Sequence, residues 1–534
     1  MATKKDLEKQ VEELKEQVKE FKKQLDKRDE VIEMLLQRQY GKKTEKLADG
    51  QISLLSDEEL ENLATEEDET TVVIEKTVPT RRTPKKKKLS GKRNKILDQF
   101  EQQDVIHDEP GKICKCCGKK MIAIGKKCQY RELRQKPAEF ECVNHYVRTY
   151  KCSNIEEHDN GNEVLAQAIP ETAPLFNHSY FSASSLAEII RNKYELAIPL
   201  NRQEILFKSY GLPITSKQMS EGVIKLSQRY LQPLYDRLLE ELLLEEVIHM
   251  DETPYEVLAK NTKSHKTYIW AVRSTVEFSN HQIVFYKHSD TRGSSNIADI
   301  LGAKYRGTIM CDGWTGYSSN VYPEITFGAC LVHIRRKFVE IAKALRGKTH
   351  SVAREATVLL GKVFHAEKQL EYKTAEEKVA ARNKIVKPLL DDFYEFISQV
   401  NTPSGQLKNA IKYSFDQRSR LEEIFRIGGM PLSNNEVEQC IRPTTLGRKN
   451  SLFSKSYEGA QANAVYYTLV QTAKLNNLDA YKYLKYVFEQ LELRKKPDVD
   501  AYLPWSDEVQ AKCKAHSPAD DDMQLENKEA MVKS

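Results

Sequence analysis

The stretch GTIMCDGWTGYSS, Gly307 to Ser319, places an aspartate directly after a short apolar run. The apolar residues before Asp312 predict a buried strand, and Gly313 follows at once. A carboxylate at the end of a buried strand is poorly solvated unless a cation or a hydrogen-bond donor meets it. An aspartate before glycine is also common in tight turns. The stretch therefore predicts either a turn-forming aspartate or a metal ligand.

A second aspartate, Asp251, occurs in the apolar run EVIHMDETPYEVL. The β-rich runs KTYIWAVRS, HQIVFYKHS, GTIMCDG and ITFGACLVH follow, with SSNIADILG as a short helix between the third and fourth strands. In an antiparallel meander followed by a helix and a parallel strand, the first and fourth strands lie side by side. Asp251 and Asp312 should then approach each other, and they would repel unless a cation joined them. A third acid from a later helix would complete a site for two magnesium ions, which suits phosphoryl transfer.

The length of 534 residues is enough for three or four domains of about 150 residues each. The net charge is only +5, but the acidic segment Glu58 to Glu75 precedes the basic segment Lys76 to Lys95, which suits a polyanion. No apolar run approaches the about 20 residues that span a bilayer, and the N-terminus lacks a signal-peptide pattern. We expect a cytoplasmic protein without a membrane partner, whose ten cysteines are free, metal-bound or buried.

The opening segment LEKQVEELKEQVKEFKKQLDKRDEVIEMLL has apolar residues spaced alternately by four and three. This heptad pattern predicts a coiled coil in residues 1–47, which would bury its apolar seam by self-association, as a homodimer, or on another helix. Residues 48–98 carry the acidic and then the basic run with prolines among them, and they predict a disordered linker.

Residues 99–165 predict a zinc-finger-like module. Cys114 and Cys117 have the spacing of a zinc knuckle, and Cys152 is a third candidate ligand. A full site needs a second pair, but Ile155 stands where the partner of Cys152 is expected. The alternative is a degenerate knuckle that folds without Zn²⁺. The candidates for the fourth ligand are Cys116, Cys128, Cys142, His145 and His158.

Residues 166–245 are helical by pattern and contain a predicted helix-turn-helix DNA-binding region. The stretch LNRQEILFKSYGLPITSKQMSEGVIKLSQRYL predicts a helix, a turn at Gly211, and a second helix with Ser216 as its N-cap. An ordinary pair of packed helices has the same spacing. The residues on the early turns that would face a DNA groove are Lys217, Gln218 and Ser220.

The remaining chain predicts an α/β core in two parts around a long helical segment. This segment is too long for a connection within a compact core, so we expect an inserted domain that contacts DNA or a second protomer. The fold class is therefore multidomain α+β. The predicted divisions are 246–338 for the first part of the core, 339–430 for the insertion, 431–480 for the second part of the core and 481–534 for a C-terminal tail.

Several motifs, in this order, resemble the DDE transposases of the insertion-sequence-66 family. They are LLQRQYGKKTEKL, LAIPLNRQEILFKSYGLPITSKQMS, HMDETP, CDGWTGY, CLVHIRRKF, NNEVEQCIRPTTLGRKNSLF and YLPW. The resemblance implies a ribonuclease-H-like catalytic core in which Asp251, Asp312 and Glu438 act on DNA and bind two Mg²⁺ or Mn²⁺ ions. It also makes small accessory transposition proteins candidate partners. Gln439 and Ser433 depart from the usual Arg and Asp of the family motif around Glu438, as Ile155 departs from its second cysteine pair.

The glutamates Glu436 and Glu438 lie two residues apart, so on a helix they point to nearly opposite sides. Only one can reach ions held by Asp251 and Asp312, and Glu438 shares its side with the more substrate-suited residues. Cys330 and His333 follow the fifth strand. They could contact the metal ligands and so influence the metal site without binding the ion, or they could be a buried thiol and a capping histidine. The polar residues around Glu438 that suit DNA phosphates, and that would otherwise be surface polar groups, are Asn434, Asn435, Arg442, Arg448 and Lys449.

We expect a transposase that binds terminal repeats, hydrolyses a phosphodiester at each end and joins the freed 3′-hydroxyl to target DNA. One alternative is a nuclease of the same fold that cuts without joining. Another is a non-catalytic DNA-binding regulator. The three acids argue against the regulator, and the modular N-terminal half argues against the simple nuclease, because recognition of specific ends needs dedicated binding modules.

Overall fold

The computed structural model describes residues 142–143, 145, 149–151, 165–167, 169–177, 179, 181–258, 266–302, 305–345, 351–401, 403 and 405–515. The described residues fall into two compact units, one within Glu69–Ile169 and the other within Pro170–Ser534. In the first unit, β1 (Thr149–Lys151) and β2 (Leu165–Gln167) form an antiparallel pair. The predicted coiled coil, the linker and the zinc ligands Cys114, Cys117 and Cys152 lie outside the described residues and stay predictions.

The second unit begins with helices. They are α1 (Ala183–Tyr194), α2 (Leu200–Ser209), α3 (Ser216–Leu226), a π-helical turn (Ser227–Leu231) and α4 (Gln232–Leu242). The turn between α2 and α3 contains Gly211 at φ +78°, a conformation that favours glycine. The predicted N-cap Ser216 is wrong by one residue. Thr215 caps α3, because its hydroxyl accepts the Gln218 N–H while Gln218 Oε1 accepts the Thr215 N–H.

A five-stranded mixed sheet follows. Its strands are β3 (Val247–Glu256), β4 (Lys266–Ser274), β5 (Val284–Ser289), β6 (Thr308–Cys311) and β7 (Thr326–Ala329). The helix α5 (Ser295–Leu301) connects β5 to β6. The strand order is β5-β4-β3-β6-β7. The pairs β3–β4 and β4–β5 are antiparallel, whereas β3–β6 and β6–β7 are parallel. The predicted adjacency of the first and fourth strands of this sheet is therefore confirmed.

Helices form the rest of the second unit. Those between β7 and the block that contains Glu438 are α6 (Leu331–Ala344), α7 (Val352–Lys368), α8 (Ala375–Ala381), α9 (Lys387–Ser398) and α10 (Gly405–Leu421). The later ones are α11 (Asn435–Ser451), α12 (Tyr457–Leu475), α13 (Ala480–Glu492) and α14 (Asp507–Cys513). No helix in the described part of the chain has the length and apolar character needed to cross a membrane.

The two faces of the sheet belong to different hydrophobic clusters. Ile248 and Ile309 pack in one cluster with residues of α1, α12 and α13. Val247 and Met310, which alternate with them along β3 and β6, pack in the other with residues of α6, α7, α9 and α10. The helices between β7 and α11 thus form their own core against the sheet. The exact domain boundaries stay predictions.

The loop between β4 and β5, residues 275–283, contacts four separate parts of the chain. Val276 N–H donates to Glu436 at 3.0 Å, and Glu277 accepts from Lys378 of α8 at 2.5 Å. The N–H of Asn280 donates to Glu245, between α4 and β3, at 3.0 Å. The His281 ring stacks on Trp505 with 4.0 Å between ring centres. We call this segment the β4–β5 loop.

Candidate active site

The aspartates Asp251 and Asp312 lie where the parallel pairing of β3 with β6 ends. This pairing joins His249 to Met310 as its last pair, and each aspartate lies two residues further along its own strand direction. They therefore lie side by side just beyond the last parallel pair, at the carboxyl end of β6. β3 itself continues past Asp251 to Glu256 in antiparallel pairing with β4.

Backbone N–H groups orient both aspartates. Asp251 Oδ1 accepts the Glu252 N–H at 2.8 Å, and Asp312 Oδ1 accepts the Trp314 N–H at 2.8 Å. The second bond is the side-chain turn typical of aspartate before glycine. Asp312 is thus a turn-forming residue and also one of a pair of neighbouring carboxylates, so the two sequence interpretations are compatible.

The third carboxylate, Glu438, comes from the first turn of α11. Burial raises the pKa of Asp251 well above its ordinary value, and the negative charges of Glu252, Asp312 and Glu438 raise it further. Burial also raises the pKa of Glu438, where Asp312 adds to the effect and the guanidinium groups of Arg336 and Arg442 oppose it. The three carboxylates that the sequence singled out therefore interact electrostatically with one another.

Glu436 faces a different set of groups. Its Oε2 lies 3.3 Å from His249 Nε2 and accepts the Val276 N–H at 3.0 Å. Burial alone would raise the pKa of Glu436, but His249, Arg273 and the Val276 amide hold it below its ordinary value. Glu438 Oε1, in contrast, is buried without a hydrogen-bond partner among the described residues. Glu438 is among the charges that act on Asp251, whereas the groups that lower the pKa of Glu436 are His249, Arg273 and the Val276 amide.

Asn434 differs from its predicted role as a DNA contact, because it is fully buried. Its Nδ2 donates to the Met250 carbonyl at 3.2 Å, and its Oδ1 lies 2.9 Å from His249 Nδ1. Its backbone N–H donates to Cys330 Sγ at 3.2 Å. Asn434 therefore holds the start of α11 on β3 and on the end of β7, and its side chain does not face solvent.

The other predicted DNA contacts differ in exposure. Arg442 and Lys449 are exposed on α11, Asn435 is partly buried, and Arg448 donates to the Pro254 carbonyl of β3. Lys217 is 86% exposed and lies 3.9 Å from Glu221. The other two predicted DNA contacts on α3 are Gln218, which takes part in the helix cap, and Ser220, which is partly buried.

Cys330 and His333 lie at the start of α6, after β7. Burial raises the pKa of the Cys330 thiol to about 12, so the thiol is neutral and accepts the Asn434 N–H. His333 Nε2 lies 3.7 Å from Glu438 Oε1. Burial, together with Arg336 and Lys337, lowers the pKa of His333 to about 4 against the opposite effect of Asp312. Cys330 thus contacts the backbone that leads into α11, and His333 is next to the carboxylate itself.

The sequence reasoning missed an ion pair beside the aspartates. The Glu252 side chain is 1% exposed, pairs with Arg292 at 2.5 Å and accepts the Tyr317 hydroxyl at 3.1 Å. Arg292 also lies over the Trp314 ring, 4.9 Å from its centre. The only sequence signal was the acid directly after Asp251, and nothing local identified its partners.

Among the described residues, no group of three or more His, Cys, Asp or Glu side chains has the arrangement of a metal site. The donor chemistry of the site nevertheless fits a hard divalent cation. Asp251, Asp312 and Glu438 supply carboxylate oxygens, the ligands that Mg²⁺ prefers, and they repel one another in the absence of a cation. The unpartnered Glu438 Oε1 is the atom that such an ion would satisfy.

Comparison with protein families gives three matches along the chain. The model described as "Transposase IS66 family" matches residues 178–462, which include all three carboxylates. The model "IS66 C-terminal element" matches residues 468–505, and "Transposase C of IS166 homeodomain" matches residues 29–105.

Similar proteins occur in Sinorhizobium fredii (strain NBRC 101917 / NGR234). "Uncharacterized protein y4hP" is 27% identical over 432 residues, which cover 76% of this chain and 75% of that protein. "Uncharacterized protein y4jD" is 27% identical over 423 residues, with 76% and 80% covered. These names state no activity.

Proposed function

The chain belongs to the IS66 family of transposases, and from this membership we propose that it is a DDE transposase that acts on the ends of a mobile DNA element. In this proposal it binds the terminal repeats and hydrolyses a phosphodiester at each end. It then joins the freed 3′-hydroxyl to target DNA. The observation that carries the proposal is the electrostatic interaction of Asp251 with both Asp312 and Glu438, at the end of the β3–β6 pairing.

The sheet topology supports a ribonuclease-H-like core. Three antiparallel strands, a helix and two further parallel strands follow one another in the order that this fold requires, with β3 in the centre. The positions of the acids agree with such a core, because ligands of α/β sheets bind outside the carboxyl ends of parallel strands.

We propose that Asp251, Asp312 and Glu438 hold two Mg²⁺ or Mn²⁺ ions. Such ions activate a water or hydroxyl and stabilise the charge that develops on the leaving oxygen. The protein positions the carboxylates: the Glu252 and Trp314 N–H groups orient the aspartates, and Asn434 fixes the start of the helix that carries the glutamate. The exposed Arg442 and Lys449 suit phosphates of the DNA on either side.

The other proposed features concern the N-terminal part of the chain and the partners. Dimerisation through residues 1–47, one structural Zn²⁺ ion bound by Cys114, Cys117 and Cys152, and accessory transposition proteins all stay proposals. The helix-turn-helix contact of α3 with DNA, through Lys217, Gln218 and Ser220, is a proposal of the same kind.

An end-joining assay tests the function. The full-length protein is incubated with Mg²⁺, a labelled duplex that carries the terminal repeat flanking the gene, and a supercoiled target plasmid. Joined products support a transposase, cut but unjoined products support a nuclease, and a shifted, intact duplex supports a DNA-binding regulator. Asp251→Asn and Asp312→Asn should shift the duplex as the wild type does but yield no products. Products that persist in both variants would contradict the proposed site.

A further inference from the structure

Buried polar atoms without partners concentrate around Glu438. Of the eleven such side-chain atoms among the described residues, four belong to the start of α6 and the start of α11. They are Glu438 Oε1, Asn435 Oδ1, His333 Nδ1 and Arg336 Nη2. Burying a polar group without a hydrogen bond is unfavourable, so a cluster of them indicates a place where water, an ion or a ligand supplies the missing partners.

The four atoms need partners of opposite kinds. The oxygens of Glu438 and Asn435 need a cation or donors, and the proposed metal ions account for the carboxylate. Arg336 Nη2 can only donate, and a metal ion gives it nothing. Burial lowers the pKa of Arg336, whereas Glu438 and Tyr413 of α10 raise it, so the guanidinium lies near both groups.

Tyr413, which acts electrostatically on Arg336, also packs beside the second aspartate. A Cβ atom built at Gly313, the residue after Asp312, would fall 2.3 Å from the Tyr413 hydroxyl, so the ring packs directly on this turn. Lys337 Nζ lies 4.4 Å from the centre of the same ring. Arg336 and Lys337 of α6 therefore place positive charge near Tyr413, which packs on the turn after Asp312.

The neighbouring Arg335 shows what a purely structural arginine looks like at this point of the helix. It is 8% exposed, its Nε donates to the Thr357 carbonyl at 3.5 Å, and its guanidinium lies 6.0 Å from the centre of the Phe364 ring. Arg335 is used inside the core of the insertion. Arg336, one residue later and turned by about 100°, keeps a buried donor without a partner.

We propose that Arg336 binds a non-bridging oxygen of the DNA phosphodiester that reacts at the carboxylates. The inference rests on the proposed transposase function and names a further residue that touches the substrate. A guanidinium matches the geometry of a phosphate, and in a site shielded from water a donor aimed at the reacting group stabilises the charge of the transition state. The phosphate would supply the acceptor that Arg336 Nη2 lacks.

A double-substitution cycle between protein and DNA tests this contact. The wild type and Arg336→Gln are compared on the terminal-repeat duplex and on the same duplex with each diastereomer of a methylphosphonate at the reacting position, where one non-bridging oxygen is replaced by a methyl group. Binding is measured in EDTA, and cleavage rate is measured in Mg²⁺. We expect Arg336→Gln to lose about 10²-fold in cleavage rate on normal DNA, as for loss of one such donor. For one diastereomer, the methylphosphonate should cost the variant at least tenfold less than it costs the wild type.

The size of the coupling between the Arg336 substitution and the methylphosphonate decides whether the contact exists. A coupling of tenfold or more in either readout supports the contact, and a smaller coupling in both overturns it. Arg335→Gln is the matched control, and its effect should simply multiply with that of the methylphosphonate. If Arg336→Gln does not fold, Arg336→Lys serves instead, with an expected loss of about tenfold because a point charge replaces the fork. A wild type that leaves normal DNA uncut would refute the proposed function, whereas cleavage without coupling would refute only the role of Arg336.

Discussion

At the scale of single residues, two glutamates on the same turn of α11 have separate roles. Glu438 points to Asp251, Asp312 and the Arg336 guanidinium, and its Oε1 lacks a partner among the described residues. Glu436 is held by His249 and by the Val276 amide. The 100° rotation per residue of a helix is the physical reason for this separation. Glu436 therefore helps to fix the helix, and Glu438 is the carboxylate available to a metal ion.

Substitution of the two glutamates should have opposite consequences. Glu438→Gln should reduce cleavage and joining by about 10³-fold or more while leaving the shift of terminal-repeat DNA unchanged, because one ligand of the ions is lost. Glu436→Gln should retain measurable cleavage but lose about 2 kcal/mol of stability, since it weakens charged hydrogen bonds of a partly buried group. Gel assays and thermal unfolding of both variants check this. The reverse pattern would move the catalytic assignment to Glu436.

The amide of Asn434 gives a second prediction at this scale. Asn434→Asp replaces the Nδ2 donor, which faces the Met250 carbonyl, with an acceptor in a fully buried position. We expect a loss of about 1–3 kcal/mol, the usual effect of an unsatisfied buried group. Asn450→Asp is the matched control. It also removes an amide-to-carbonyl bond, to Ala197 at 2.8 Å, but on the surface, where the loss should stay below about 0.5 kcal/mol. Equal shifts of the thermal midpoint in the two variants would argue against a stabilising role of the bond from Asn434 to Met250.

At the scale of helices and strands, the site depends on how α6, α10 and α11 meet the ends of β3, β6 and β7. Asp312 directly follows β6, and Tyr413 of α10 packs on Gly313, the next residue of the turn. Arg420 of the same helix donates to Cys311 Sγ at 2.8 Å. The helices between β7 and α11 therefore contribute to the position of Asp312.

A methyl group at position 313 tests this packing. Gly313→Ala should displace the turn or α10 and slow cleavage by about tenfold or more, because the new Cβ would overlap the Tyr413 ring. The loss of cleavage rate caused by Gly313→Ala should be smaller when Tyr413→Ala is also present, as expected for residues in contact. Gly361→Ala in α7 is the control. Its Cβ would have 3.8 Å to its nearest neighbour, and alanine there should be neutral or stabilising. An equal penalty in both backgrounds would disprove the contact.

The sequence predicted those elements whose order follows from local patterns. The apolar runs gave the strands and, through their order, the neighbouring positions of Asp251 and Asp312. Beyond His249, β3 pairs with β4 but no longer with β6, so polar residues and Pro254 are tolerated there. The Glu252–Arg292 pair and the burial of Asn434 were missed, since only tertiary packing brings together groups so distant in sequence.

At the scale of the whole molecule, the carboxylates and the predicted coiled coil are far apart in the sequence. The carboxylates lie in the unit within Pro170–Ser534, and the predicted coiled coil precedes it in sequence. Transposition needs two ends to be processed together, and self-association through the coil would bring two sites to one pair of ends. The heptad seam from Leu7 to Leu35 is the observation that motivates this expectation.

Deletion of residues 1–47 tests the role of the coil. Because a helix with a heptad seam buries its apolar residues by association, we expect the deletion to lower the molar mass measured by light scattering from that of a dimer to that of a monomer. Cleavage of a single end should persist, whereas coordinated joining of two ends should fall. A shortened protein that remains dimeric would place the interface elsewhere in the chain.

The contacts of the β4–β5 loop also determine the order in which the protein can fold during translation. It depends on α8, on Glu436 and finally on Trp505, which leave the ribosome long after the loop itself. Contacts between such distant segments form late, because the intervening chain must first close a large loop. A nascent chain that has only just exposed Asp251 and Asp312 is therefore still without the contacts that hold α11 in place. We expect the protein to become competent only after the segment around Trp505 has been translated and has packed on the loop.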